Sequence, residues 1–182
     1  WILIIFSILV VFSLYNSIYF DIPKSEIIAK YANGSSQFIR LADGSEIHVR
    51  DEGNQSGKIL VMVHGFNGSL FNYEPLVPYL SSEYRLISLD LPAHGLTGAV
   101  NSDLYNQEAY EKVIEEVVGI LEIDKFYLVG HSMGGMIAWR YALSNLDQLK
   151  GLIIIGSAFF ANEQEFNDFQ SINAPPLSLI HI

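Results

Sequence analysis

Apolar residues run almost without interruption at residues 59–63, 84–89, 126–129 and 152–155, each stretch short enough for a strand. Runs of this kind suit parallel strands covered on both faces, where neither side of the pleat meets water. Upstream, Phe38-Ile39-Arg40-Leu41 and Glu46-Ile47-His48-Val49-Arg50 alternate apolar and polar positions around Ala42-Asp43-Gly44-Ser45, which predicts an antiparallel hairpin. Residues 107–121 repeat at helical spacing: Ala109, Val113, Val117, Ile120 and Leu121 share one stripe, opposite Glu108, Glu111, Lys112, Glu115 and Glu116. Strands alternating with helices predict an α/β fold. The expected architecture is a hairpin leading into a doubly wound, mostly parallel sheet, with reactive groups at the carboxyl ends of its strands.

The two ends of the chain differ from this pattern. Residues 1–20 carry no charge, and as a helix rising 1.5 Å per residue they would reach about 30 Å, the thickness of a bilayer core. They predict a transmembrane helix that anchors the protein to a membrane by a single pass, with Trp1, Tyr15 and Tyr19 towards its ends. A cleaved signal peptide is the competing reading, against which Ser17-Ile18-Tyr19-Phe20 offers no small-residue cleavage site. Residues 21–36, with Pro23 and Asn33-Gly34-Ser35-Ser36, read as a linker, and residues 37–160 as the α/β core. Residues 161–182, with Glu163, Glu165, Asp168 and Pro175-Pro176, read as the start of a cap or lid.

Charge and composition narrow the function classes. A formal net charge of -10, with Lys and Arg scattered rather than striped, excludes a nucleic-acid partner. The absence of cysteine excludes a disulfide, a thiolate metal site and a cysteine nucleophile. No metal or organic cofactor is implied.

The chemistry concentrates at Gly130-His131-Ser132-Met133-Gly134-Gly135, which follows an apolar strand and opens the helix-like Met136-Ile137-Ala138-Trp139-Arg140-Tyr141. A serine on so sharp a strand-to-helix turn is held in a strained backbone, and the flanking positions must be small to clear the neighbouring strand and helix. With His64-Gly65-Phe66-Asn67-Gly68-Ser69 and Asp90-Leu91-Pro92-Ala93-His94-Gly95 in order before it, the chain resembles the α/β-hydrolase superfamily. The resemblance implies Ser132 as nucleophile, with an oxyanion hole formed by the backbone N–H of Met133 and of Phe66. It also implies that Gly65 and Asn67 lie against the substrate. His64 and His94 then shape loops, Asp90 fixes a loop by hydrogen bonding, and Ala93 stands where the family commonly has glycine. His131 packs under the turn, and His48, alternating along an early strand, reads as a surface residue.

A serine hydroxyl needs a histidine to take its proton and an acid to orient that histidine, and the family supplies both after later strands. Ser157-Ala158, directly after the apolar run ending at Ile155, supplies no carboxylate, and His181 lies in the region read as cap. The triad acid and histidine are therefore expected outside this chain, which reads as the amino-terminal fragment of a longer enzyme, inactive by itself. The implied activity is hydrolysis of hydrophobic carboxylic esters or related acyl substrates through an acyl-serine. Carbon-carbon bond hydrolysis on the same elbow and a non-catalytic binding module are the alternatives.

Overall fold

The computed structural model describes residues 1–17, 22–100, 105–157 and 178–181. The chain divides into two compact units, Trp1–Ala32 and Asn33–Ile182.

The first unit holds two helices. Helix α1, Ile2–Asn16, has 15 residues, a rise of about 22 Å against the roughly 30 Å of a bilayer core. The Asn16 side-chain amide donates to Phe12 O, and the Ser17 hydroxyl and amide donate to Ser13 O, so polar side chains close the last turn. Among the described residues no helix is long and apolar enough to cross a membrane. This overturns the transmembrane helix expected over residues 1–20, and with it the single-pass anchor and the membrane partnership. An uncharged stretch does not fix helix length: α1 ends at Asn16, and residues 18–21 lie outside the described residues. Helix α2, Lys24–Tyr31, occupies the stretch read as a linker. Pro23 precedes it, Glu26 sits in its first turn and Lys30 in its last, which complements the helix dipole.

The second unit is built on a seven-stranded sheet, ordered β1-β2-β4-β3-β5-β6-β7. Strands β1 (Ser36–Arg40) and β2 (Glu46–Gly53) form the expected antiparallel hairpin, and β2 continues antiparallel onto β4 (Tyr84–Leu89). Strand β3 (Lys58–Val63) pairs in parallel with β4 and with β5 (Phe126–His131), and β6 (Leu149–Ile155) continues the parallel run. Residues 178–181, read from sequence as part of a cap, pair in parallel with β6 as strand β7, Ser178–His181, placing His181 in register with Ile154.

Period-two alternation sorts the strand residues onto two faces. Val61, Val63, Phe126, Leu128, Leu152 and Ile154 join the larger buried cluster, with α4 (Gln107–Ile120) and α5 (Met133–Ser144). Leu60, Met62, Tyr127, Val129, Ile153 and Ile155 face the other way, towards Tyr73 and towards Val77 and Leu80 of the short helix α3 (Val77–Leu80). Helix α4 begins where the Asn106 side chain accepts from the Ala109 N–H (2.9 Å), a side-chain cap. Its buried stripe is Ala109, Val113, Ile114, Val117 and Val118. Ile120, assigned to that stripe from sequence, is exposed at the last turn.

Candidate active site

The turn from β5 into α5 carries the feature that the glycine spacing predicts. Ser132 has φ 52° and ψ −120°, a left-handed backbone that a residue with a Cβ rarely adopts. Its N–H donates to Ile155 O (3.0 Å), and its carbonyl accepts from Gly135 and Met136, starting the helix. A Cβ at Gly130 would run into the Gly134 carbonyl, and one at Gly134 into the carbonyls of Val63 and His64. One at Gly135 would stand 2.6 Å from the Ser157 Cβ. The glycines therefore let β5, the first turn of α5 and the end of β3 close on one another.

That closure brings the loop after β3 onto the serine. A Cβ at Gly65 would lie 2.9 Å from the Ser132 Cβ, although 67 residues of chain separate the two. Gly65-Phe66-Asn67-Gly68 is a tight turn in which Gly68 N–H donates to Gly65 O (3.1 Å) and Asn67 takes φ 55°. Among the described residues, neither the Phe66 amide nor the Met133 amide donates to a protein acceptor, and nothing bonds the Ser132 hydroxyl. The Met133 amide opens α5, where the helix dipole presents positive charge. The Phe66 side chain is 78% exposed.

The loop after β4 has the opposite character. Asp90 is completely buried; one carboxylate oxygen accepts from Leu70 N–H (2.7 Å). The other accepts from Leu96 N–H (2.8 Å) and meets His48 Nδ1 (2.7 Å). Thr97 closes the network, its hydroxyl donating to Asp90 O and accepting from the His48 N–H. Asp90 is thus a loop-fixing residue, as its motif implies. His48 is not at the surface as expected: it is 0% exposed, and its Nε2 lies 2.9 Å from the Ser36 hydroxyl. Strand β2 lies between β1 and β4, so the simple inside-outside alternation of an early hairpin does not hold there.

The two histidines in the loop motifs serve geometry. His64 Nδ1–H donates to Gly65 O (2.7 Å) and its Nε2 accepts from Leu91 N–H (3.0 Å). Burial holds its pKa below the usual histidine value, outweighing the Gly65 carbonyl and the nearby Asp90 charge, which favour the cation. His94 Nδ1–H donates to Pro92 O (2.8 Å) and its Nε2 accepts from Asn67 N–H (3.3 Å). His131 Nδ1 is buried with no hydrogen-bond partner among the described residues and lies beside Gly65. Among the described residues no cluster of His, Asp or Glu is placed to hold a metal ion.

A strained serine at the carboxyl end of a central parallel strand is pressed against a glycine turn from the neighbouring strand, a sharp strand-to-helix elbow of the α/β class. Residues 58–176 match the family model for the alpha/beta hydrolase fold, and the chain belongs to that family. It is 29% identical over 124 residues to human Epoxide hydrolase 4, a match covering 67% of this chain and 34% of that protein. It is 32% identical over 112 residues to pimeloyl-[acyl-carrier protein] methyl ester esterase of Legionella pneumophila (strain Lens), covering 62% of this chain and 42% of the esterase. In fold it resembles the crystal structure of a hydrolase from Pseudomonas aeruginosa PA01, with a TM-score of 0.66 at 20% identity over 75% of this chain and 51% of that one. The chain spans less than half the length of the curated relatives it matches.

Proposed function

We propose that the full-length protein is a serine hydrolase that cleaves carboxylic esters or related acyl compounds through an acyl-Ser132 intermediate. The observation that carries this reading is the contact between Gly65 and Ser132, which sets a strained serine beside an amide-rich turn. In the proposed step Ser132 Oγ attacks the acyl carbon as a base takes its proton, and the carbonyl oxygen becomes an oxyanion. The Phe66 and Met133 amides, neither engaged by a protein acceptor among the described residues, would donate to that oxygen. The alcohol then leaves with a proton, and water attacks the acyl-serine to release the acid. On this reading the base and its orienting acid lie outside the described residues.

Gly65 and Asn67 would flank the acyl group, and the exposed Phe66 ring supplies an apolar wall, which favours a hydrophobic substrate. The likeness to the Legionella methyl ester esterase supports ester chemistry. The likeness to human Epoxide hydrolase 4 supports the family more than its reaction, because the match spans 34% of that protein.

Mixing the full-length protein with a p-nitrophenyl ester tests the reading. A burst of p-nitrophenol stoichiometric with protein, absent from Ser132→Ala, is the expected result. Turnover of an epoxide with no burst on esters would overturn it.

A further inference from the structure

The turn that carries Phe66 is clamped from both sides by imidazoles that link it to the loop after β4. On one side His64 joins Gly65 O to the Leu91 N–H; on the other His94 joins the Asn67 N–H to Pro92 O. Both rings donate through Nδ1 to a carbonyl, which leaves Nε2 as an acceptor only while the ring is neutral. The ring centroids lie 5.0 Å apart, and the Phe66 ring meets the His94 ring edge-on at 6.2 Å. His64 is fully buried and His94 only partly so, which makes His94 the ring that solvent protons reach. Asn67 sits at φ 55°, in the left-handed region that asparagine tolerates better than most residues, and the His94 ring accepts its amide there.

We propose that His94 is a positioning residue: its neutral Nε2, by holding the Asn67 amide, keeps the adjoining Phe66 amide aimed at the acyl oxygen. The proposal rests on the ester-hydrolase reading for its kinetic consequence, but not for the brace itself. Protonating His94 places a donor against the Asn67 N–H, so the turn loses its support and the oxyanion donor drifts. Among the described residues the titratable ring against His94 is His64, which in turn feels the charges of the Asp90 carboxylate and His131. Displacement of a reacting group by a fraction of an ångström to one ångström can cost about 10- to 100-fold in rate.

The test uses the full-length protein and two variants. His94→Phe keeps an aromatic ring without an acceptor, and His94→Gln offers an acceptor near the Nε2 position that does not titrate. With a p-nitrophenyl ester, His94→Phe is expected to lower kcat about 10-fold or more with KM within twofold, and His94→Gln to recover most of that loss. In amide NMR spectra of the wild type, the Asn67 resonance should follow the His94 ring as it titrates, and stay still over the same range in His94→Gln. An Asn67 amide indifferent to the His94 titration overturns the brace. A coupled amide with unchanged kcat in His94→Phe overturns the positioning role. If the wild type shows no ester burst while the Asn67 amide follows His94, the ester reading falls and the brace stands.

Discussion

Two loops leave the parallel strands on either side of β3 at the same end of the sheet, and they treat their polar side chains in opposite ways. At the end of β5 the Ser132 hydroxyl has no protein partner among the described residues, and its backbone is forced to φ 52°. At the end of β4 the Asp90 carboxylate meets Leu70, Leu96 and His48 and is cut off from solvent. Both loops lean on glycine for room: a Cβ at Gly95 would enter the Asp90 carboxylate, much as one at Gly134 would enter the Val63 carbonyl. On the proposed reading the difference separates chemistry from scaffolding. A buried carboxylate with three protein partners is committed to holding its loop, whereas a hydroxyl with none among the described residues holds nothing in place.

Substitutions at the two loops should therefore separate activity from stability. Replacing Ser132 with Ala should cost about 10⁴-fold or more in ester turnover while shifting unfolding free energy by no more than about 0.5 kcal/mol. Comparable losses in both quantities would show that the serine is a structural residue. The reverse is expected for Asp90→Ala, which strands buried donors and should lower unfolding free energy by about 3–5 kcal/mol in urea titrations. An Asp90→Ala variant as stable as the parent would mean that its network carries no weight.

A smaller effect follows from His64. Burial lowers its folded pKa below the unfolded value, so the unfolded chain binds the proton more readily. Stability should fall as pH drops below about 6.5, by up to about 1.4 kcal/mol per pH unit until the folded value is reached. Denaturation midpoints followed from pH 7.5 to 5 check the sign, and His64→Gln should flatten that slope. The smallest effect belongs to Ala93, which sits at φ 67° where the family commonly has glycine. Ala93→Gly should raise stability by about 0.5–1 kcal/mol by relieving the left-handed strain, and a lower melting temperature would count against it.

The parts of this molecule that sequence discloses are those written in local rules. The four apolar runs became β3, β4, β5 and β6, and the hairpin appeared where alternation and Asp43-Gly44 placed it. The elbow was legible because a strained turn admits only small neighbours, so Gly130, Gly134 and Gly135 mark it. What sequence hid depends on partners far along the chain. His48 alternates like a surface residue, yet it lies buried because β1 and β4 flank its strand and Asp90, 42 positions later, meets its ring. Strand β7 needed the free edge of β6, which no local pattern announces. The uncharged amino-terminal stretch misled for a related reason: composition gives apolar length, but α1 ends where Asn16 and Ser17 turn back onto its own carbonyls. The hold of His94 on Asn67 was equally out of sight, since the motifs suggest loop shaping without saying which amide is held.

Labelling with a fluorophosphonate probes the hydroxyl itself. The full-length folded protein is treated with the reagent, digested, and the modified peptide sequenced by mass spectrometry. A single adduct on Ser132, lost in Ser132→Ala and on unfolding, is the predicted result. A folded protein that leaves Ser132 unmodified, or that carries the adduct on another residue, would contradict the assignment of this serine as the nucleophile.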